Sequence, residues 1–267
     1  MRLSQILFSQ GFGTRRLCAG LIQHGEVRVN GELVEDAEAE FEPEGLTFEV
    51  SGKPWPYYAK ALILLNKPAG YECSQKPKHH PSVMSLLPPP LRERNVQPIG
   101  RLDEDTTGLL LLTDDGTLIH KLTSPKHHVP KVYEARCKHP LTPQMLEQLL
   151  TGVELREPEP KAPEAKAVKG AKAGRDARDA RDAKAPSALA KPAYKPELAR
   201  AEGAEAIDEF TLRLTLIEGK YHQVKRMVAA VGNRCEALHR PQFGMLTIPA
   251  DLKPGEWAWV DSPSRVS

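Results

Sequence analysis

Apolar and polar residues follow two rhythms along the chain, and the change comes near residue 50. In the first part apolar residues recur at helical spacing. Leu3, Ile6 and Leu7 mark one short helix, and Leu17, Leu21 and Ile22 form the apolar side of a second, with Thr14 as its cap and Gly25 as its stop. The segment EVRVNGELV then alternates in two short runs about Asn30-Gly31, a dipeptide suited to a type I′ hairpin because both central residues need positive φ. Helix, helix and hairpin over residues 1–50 predict a small N-terminal module. SGKPWPYY reads as a linker over 51–60, because Pro54 and Pro56 interrupt regular structure.

The second part is strand-rich. KALILLNKP and LLLLT are apolar runs of strand length, stopped by Pro68 and by Asp114-Asp115-Gly116. KVYEARC and FTLRLTLIEG alternate, whereas YHQVKRMVAAVG places Val224, Met227, Val228 and Val231 on one side of a helix that ends at Gly232. Strands and helices interleave without a regular βαβ period, so residues 61–262 predict an α+β domain and not a doubly wound parallel sheet. Residues 157–205 break the pattern. They are Ala, Lys, Pro, Arg and Asp with a thrice-repeated RDA triplet, a composition unable to bury enough surface to offset chain entropy. The reading is a disordered basic insertion within the domain, since the strand pattern resumes at Phe210.

Charge changes this picture only locally. The net charge is +2, but residues 161–200 carry eleven basic and five acidic side chains, leaving about −4 for the remainder. An anion-binding surface must therefore be a patch. The N-terminus lacks a signal-peptide core and no run reaches membrane-helix length, which predicts a cytoplasmic protein without a membrane partner. Four distant cysteines form no CxxC pair, and the adjacent His79-His80 and His127-His128 project in different directions, so no metal site is expected. GFGTRR lacks the third glycine of a dinucleotide loop, and there is no P-loop.

Candidate chemistry gathers in GRLDEDTTGLLLLTDDG, residues 100–116. Asp114 and Asp115 sit where a strand ends and a helix begins, which is ordinary turn and capping chemistry. Asp103, Glu104 and Asp105 lie in the loop leading into the strand, and composition does not choose among them. In the N-terminal module Arg15 and Arg16 open a helix, where guanidiniums either meet phosphates or stay solvated.

The order of these motifs is similar to that of the pseudouridine synthases. GRLDEDTTGLLLLT resembles their central motif, LLNKPAGY their first, KVY their tyrosine motif and EGKYHQVKRMVAAVG their third, while TRRLCAGLIQHGEVRVNGELV resembles the S4 RNA-binding module. The resemblance implies an α+β catalytic domain with a central mixed, mainly antiparallel sheet flanked by helices. It also implies an isomerase that converts a uridine within RNA into its C-linked form without cofactor or metal. Among the branches, SPKHHVPKVY with EGKYHQVKRM resembles the one acting on small-subunit ribosomal RNA, which makes ribosomal RNA the expected partner and a monomer the default. On the matching positions, Asp103 would be the catalytic carboxylate. Lys225 would be its cationic partner, with Arg226 as the fallback, and Tyr133 would stack on the extruded base. Arg101 would hold a phosphate or fill the vacated place, and Arg15, Arg16 and Arg226 would contribute to RNA binding. The competing readings are a large-subunit ribosomal RNA synthase of the same family and a noncatalytic S4-type RNA-binding or assembly protein; for the latter, retention of Asp103, Tyr133 and Lys225 together has no reason.

Overall fold

The computed structural model describes residues 1–155 and 197–266. Helices α1 (Leu3–Ser9) and α2 (Arg15–Gln23) pack against a small sheet of β1 (Val27–Val29), β2 (Glu32–Leu33), β3 (Thr47–Val50) and β4 (Lys53–Pro56), ordered β2-β1-β3-β4. The Thr14 side chain accepts from the Leu17 amide and so caps α2. Asn30 and Gly31 take φ of 53° and 82°, the pair of positive values the type I′ turn requires.

Two expectations for this half are corrected. Leu17 is 60% exposed; the buried stripe of α2 runs through Cys18 and Ile22, four residues apart, which turns Leu17 outward. The supposed linker contains β4. Pro54 and Pro56 are compatible with it because β4 is the outer strand of its sheet, where a missing amide breaks no inner ladder.

The second half is built on one mixed sheet. Its strands are β5 (Leu62–Lys67), β6 (Gln97–Pro98), β7 (Thr107–Thr113), β8 (Lys131–Cys137), β11 (Gly203–Ala206), β12 (Thr211–Leu216), β13 (Cys235–Phe243), β14 (Leu246–Thr247) and β15 (Trp257–Trp259). The order is β11-β12-β8-β13-β7-β5-β15, with β14 against β13 and β6 against β7. Every pairing is antiparallel except β13 with β7. The unbroken apolar runs of β5 and β7 follow from burial on both faces. Ile63, Leu65, Leu110 and Leu112 enter the core shared with the N-terminal module, while Leu62, Leu64, Leu109 and Leu111 enter a second core under α4 (Gly116–Thr123). A third core lies where α5 (Pro143–Thr151) and α6 (Gln223–Ala230) cover β8 and β12. A short helix, α3 (Pro89–Glu93), lies between β5 and β6.

The strands β9 (Val153–Leu155) and β10 (Glu197–Ala199) pair with each other, and β11 begins at Gly203. The segment read from composition as structureless over 157–205 is therefore ordered in its last part: Ala199 and Ala201 are buried, and β11 borrows its ladder from β12. The RDA repeat lies outside the described residues.

The two halves share one core. Trp55 of β4 meets Trp259 and Trp257 of β15 with ring centroids 5.3 and 6.4 Å apart. Beside this contact Arg94, its side chain only 3% exposed, reaches the Asp114 carboxylate at 2.7 Å and donates to the side-chain Oε1 of Gln10 at 2.7 Å. Asp114 also accepts from the Ala61 amide at 2.8 Å, so it is more than a strand terminator; Asp115 caps α4 as the sequence suggests.

Candidate active site

The loop between β6 and β7 carries Asp103, and buried contacts fix its backbone. Lys67, fully buried at the end of β5, donates to the carbonyls of Glu104 at 3.2 Å and Thr106 at 2.8 Å, and the Gly70 amide donates to Glu104 at 2.7 Å. Burial lowers the Lys67 ammonium from its usual range, opposed by the negative field of this loop. Beneath the loop, Gly108 lies against β13. Its φ is 108°, and a Cβ there would stand 2.4 Å from the Arg240 carbonyl, so only glycine permits this approach of β7 to β13.

The opposite bank comes from the turn before α6 and its first residues. Gln223 donates to Glu218 at 2.7 Å and accepts from the Lys220 amide at 2.8 Å, which shapes the turn. His222 takes a left-handed φ of 47° and brings Nε2 to 3.2 Å from Asp103 Oδ1. Lys225, three residues on and therefore on the same side of the helix, reaches Asp103 Oδ2 at 3.4 Å and both Asp105 oxygens at 2.6 and 2.8 Å. Partial burial works against both charges, but the hydrogen bond and mutual field prevail: Asp105 is held below its ordinary range, and Lys225 above its own.

Asp103, Lys225, Arg101 and Tyr133 line one cavity of about 360 Å³. Its buried end is formed by β8 and β13. Lys131 and Tyr133 are two apart on β8 and so share a face, and Arg240 of β13 is 2% exposed. Arg240 donates to the Leu109 carbonyl at 2.8 Å and to the Tyr133 hydroxyl at 3.4 Å, with its guanidinium 5.8 Å from the Tyr133 ring centre. Lys131 donates to the Val129 carbonyl at 2.9 Å; burial first, and then Arg240, push its ammonium down to about 8. At the mouth, Tyr221 is 65% exposed and stacks on His222 at 3.8 Å.

Of the sequence candidates, Asp103, Tyr133, Lys225 and Arg101 meet at this cavity. Arg226 does not. The 100° step along α6 turns it towards β9 and β10, where it donates to the Tyr221 and Leu155 carbonyls and pairs with Glu197 at 3.6 Å, its side chain 12% exposed. Arg15 and Arg16 are exposed on the N-terminal module, and Arg15 lies over the Phe8 ring at 5.3 Å. The sequence reading missed Asp105, His222, Lys131 and Arg240. His222 and Lys131 were accessible in principle, at helical spacing from Lys225 and strand spacing from Tyr133. Arg240 is brought in by the β13–β7 crossover, which no local pattern announces.

A mixed sheet flanked by helices, joined to a small helix–hairpin module and carrying a cleft carboxylate held between His222 and Lys225, fits an RNA-modifying enzyme of the pseudouridine synthase type. Residues 61–230 match the RNA pseudouridylate synthase family and residues 1–44 match the S4 domain; the chain belongs to the pseudouridine synthase family, isomerases acting on RNA. It is 36% identical over 259 residues to the ribosomal small subunit pseudouridine synthase A of Escherichia coli (strain K12), covering 96% of this chain and 95% of that one. It is 35% identical to the enzyme of the same name from Yersinia pestis, covering 96% and 93%. An uncharacterised RNA pseudouridine synthase of Bacillus subtilis is 32% identical over the same shares. A crystal structure of a pseudouridylate synthase superposes with a TM-score of 0.59 at 28% identity, covering all of this chain and 98% of the other.

Proposed function

We propose that this protein isomerises one uridine of small-subunit ribosomal RNA, with Asp103 as the catalytic carboxylate. The reading is carried by one observation: Asp103 stands between His222 and Lys225 in the wall of the cavity that also holds Tyr133. Desolvation in a site closed over a base disfavours a lone carboxylate, and the adjacent ammonium of Lys225 offsets that cost. Tyr133 then serves as the platform for the extruded base, and its phenol as the group beside the reacting carbon. Arg101, exposed at the mouth, takes a backbone phosphate, while Arg15 and Arg16 of the S4 module add phosphate contacts at a distance from the chemistry. Arg226 has no part in this reading, because its guanidinium faces β9 and β10.

The isomerisation moves a glycosidic bond from nitrogen to carbon of one base, with no net redox change, so the reading assigns no cofactor. The reading takes a monomer as the working unit, since the cavity residues named all come from one chain, and takes the cytoplasm as its place of work, since its substrate is ribosomal RNA. The choice of small-subunit RNA is supported by the names of the relatives from Escherichia coli and Yersinia pestis. Carbodiimide mapping of ribosomal RNA from cells lacking the protein tests it. One modified position in the small-subunit RNA should disappear and return with the wild-type gene; loss confined to large-subunit RNA would contradict the assignment.

A further inference from the structure

The buried end of the cavity holds positive charge that the roles above leave unused. Lys131 and Arg240 both line it, and among the described residues neither forms an ion pair with a carboxylate. They lie on the Phe243 ring, at 5.1 and 5.3 Å from its centre, and Arg240 lowers rather than supports the Lys131 charge. Three buried side-chain polar atoms of the described residues have no hydrogen-bond partner, and two of them, Arg240 Nη2 and Thr106 Oγ1, belong to residues lining this cavity. Buried donors are rarely left unmade in a finished fold. Two adjacent cations with an unpaired donor therefore mark the place of an absent anionic or carbonyl-rich group.

We propose that Lys131 and Arg240, assisted by Thr106, receive the carbonyl edge of the uracil and stabilise the negative charge its ring carries during the reaction. This rests on the functional reading above. The ring becomes negative by either route open to Asp103. If the carboxylate attacks the ribose carbon, the N–C bond breaks with its electron pair on nitrogen, and the charge spreads to both carbonyl oxygens. If it adds to the base, the electrons of the ring double bond move onto a carbonyl oxygen, and the N–C bond then breaks with its electron pair on nitrogen. In both cases the new C–C bond consumes the electron pair of the ring carbon, the Asp103 carboxylate is released (displaced from the ribose in the first route, eliminated from the ring in the second), the proton on that carbon leaves, and the ring nitrogen gains one. A phosphate is a poorer occupant of this end: it stays with the ribose near exposed Arg101, and the base is the part of an extruded nucleotide that enters deepest. Because the charge appears only after the ground state, the cation pair acts on rate and leaves RNA affinity almost untouched.

The test is single-turnover release of tritium from RNA labelled at the uracil carbon that forms the new bond, with RNA affinity measured in parallel on the full chain. Lys131→Met should lower the rate by about 100-fold, the cost typical of losing one donor to a developing oxyanion, with affinity unchanged. Lys131→Arg, which keeps the charge, should recover most of that loss. If Lys131→Met does not fold, as judged by its melting temperature, Thr106→Val carries the test with a loss of about 100-fold, the low end of the range for a single positioned donor. A folded Lys131→Met or Thr106→Val enzyme at the wild-type rate, or a loss of rate matched by a loss of affinity, would overturn the proposal. A wild-type protein inactive on RNA would instead count against the functional reading itself.

Discussion

Asp103 owes its position to three side chains on other elements. Lys67 holds the Glu104 and Thr106 carbonyls just after it in the loop, and His222 and Lys225 hold its two oxygens separately. Lys225 is closer to Asp105 than to Asp103, so the lysine is shared, and the second carboxylate keeps the ammonium charged while the first remains available. Asp105 had no assignable role in the sequence because an acidic loop neighbour looks like any turn residue; the partner that gives it meaning lies 120 positions away. Lys131 yields a pH prediction with opposite signs for rate and stability. Activity that needs its ammonium falls as pH rises through about 8. Its folded-state value is depressed, so between about 8 and 10.5 the unfolded chain holds that proton more firmly, and this group's contribution to stability rises with pH. Rate and melting temperature measured across pH 7–10 should therefore diverge; Lys131→Arg should remove the fall in rate.

At the scale of elements, much of the architecture was legible. Helices α1, α2 and α6, the Asn-Gly hairpin and the strands at 62–67, 107–113, 131–137 and 211–216 announce themselves by period and punctuation. What was not legible depends on partners. The strand Lys53–Pro56 contains two prolines and exists because it lies outside β3, and Gly203–Ala206 has little apolar content and exists because β12 offers an open edge. The parallel approach of β7 to β13 at Gly108 is another such case, and it sets the position of Arg240. Gly108→Ala would force its Cβ into the Arg240 backbone. The variant should lose about 1–3 kcal/mol of stability, as overpacking typically costs, and its rate should fall further than its melting temperature explains. Denaturant unfolding beside single-turnover kinetics checks this; unchanged stability would mean that the two strands separate without penalty.

At the scale of the whole molecule, the S4 module and the catalytic domain are joined by a shared core, the tryptophan contact and the hydrogen bond from buried Arg94 to Gln10. The phosphate contacts proposed for Arg15 and Arg16 would therefore add to the same binding event as the cavity without an entropic linker between them. The arginines are chemically plain in the sequence, where solvated and phosphate-bound guanidiniums look alike. Replacing both by Ala should weaken RNA binding evenly across sequences and reduce the salt slope of log affinity by about one per arginine, with the single-turnover rate at saturating RNA unchanged. Filter binding across a salt series measures it, and an unchanged slope would remove the two residues from the interface.

The account centres on Asp103, and the most direct measurement is pseudouridine formation by Asp103→Asn on its RNA. The substitution keeps the side chain's shape and removes its charge. The account predicts that the variant folds, binds RNA with nearly wild-type affinity and forms no detectable pseudouridine. Product at the wild-type rate from Asp103→Asn would contradict it.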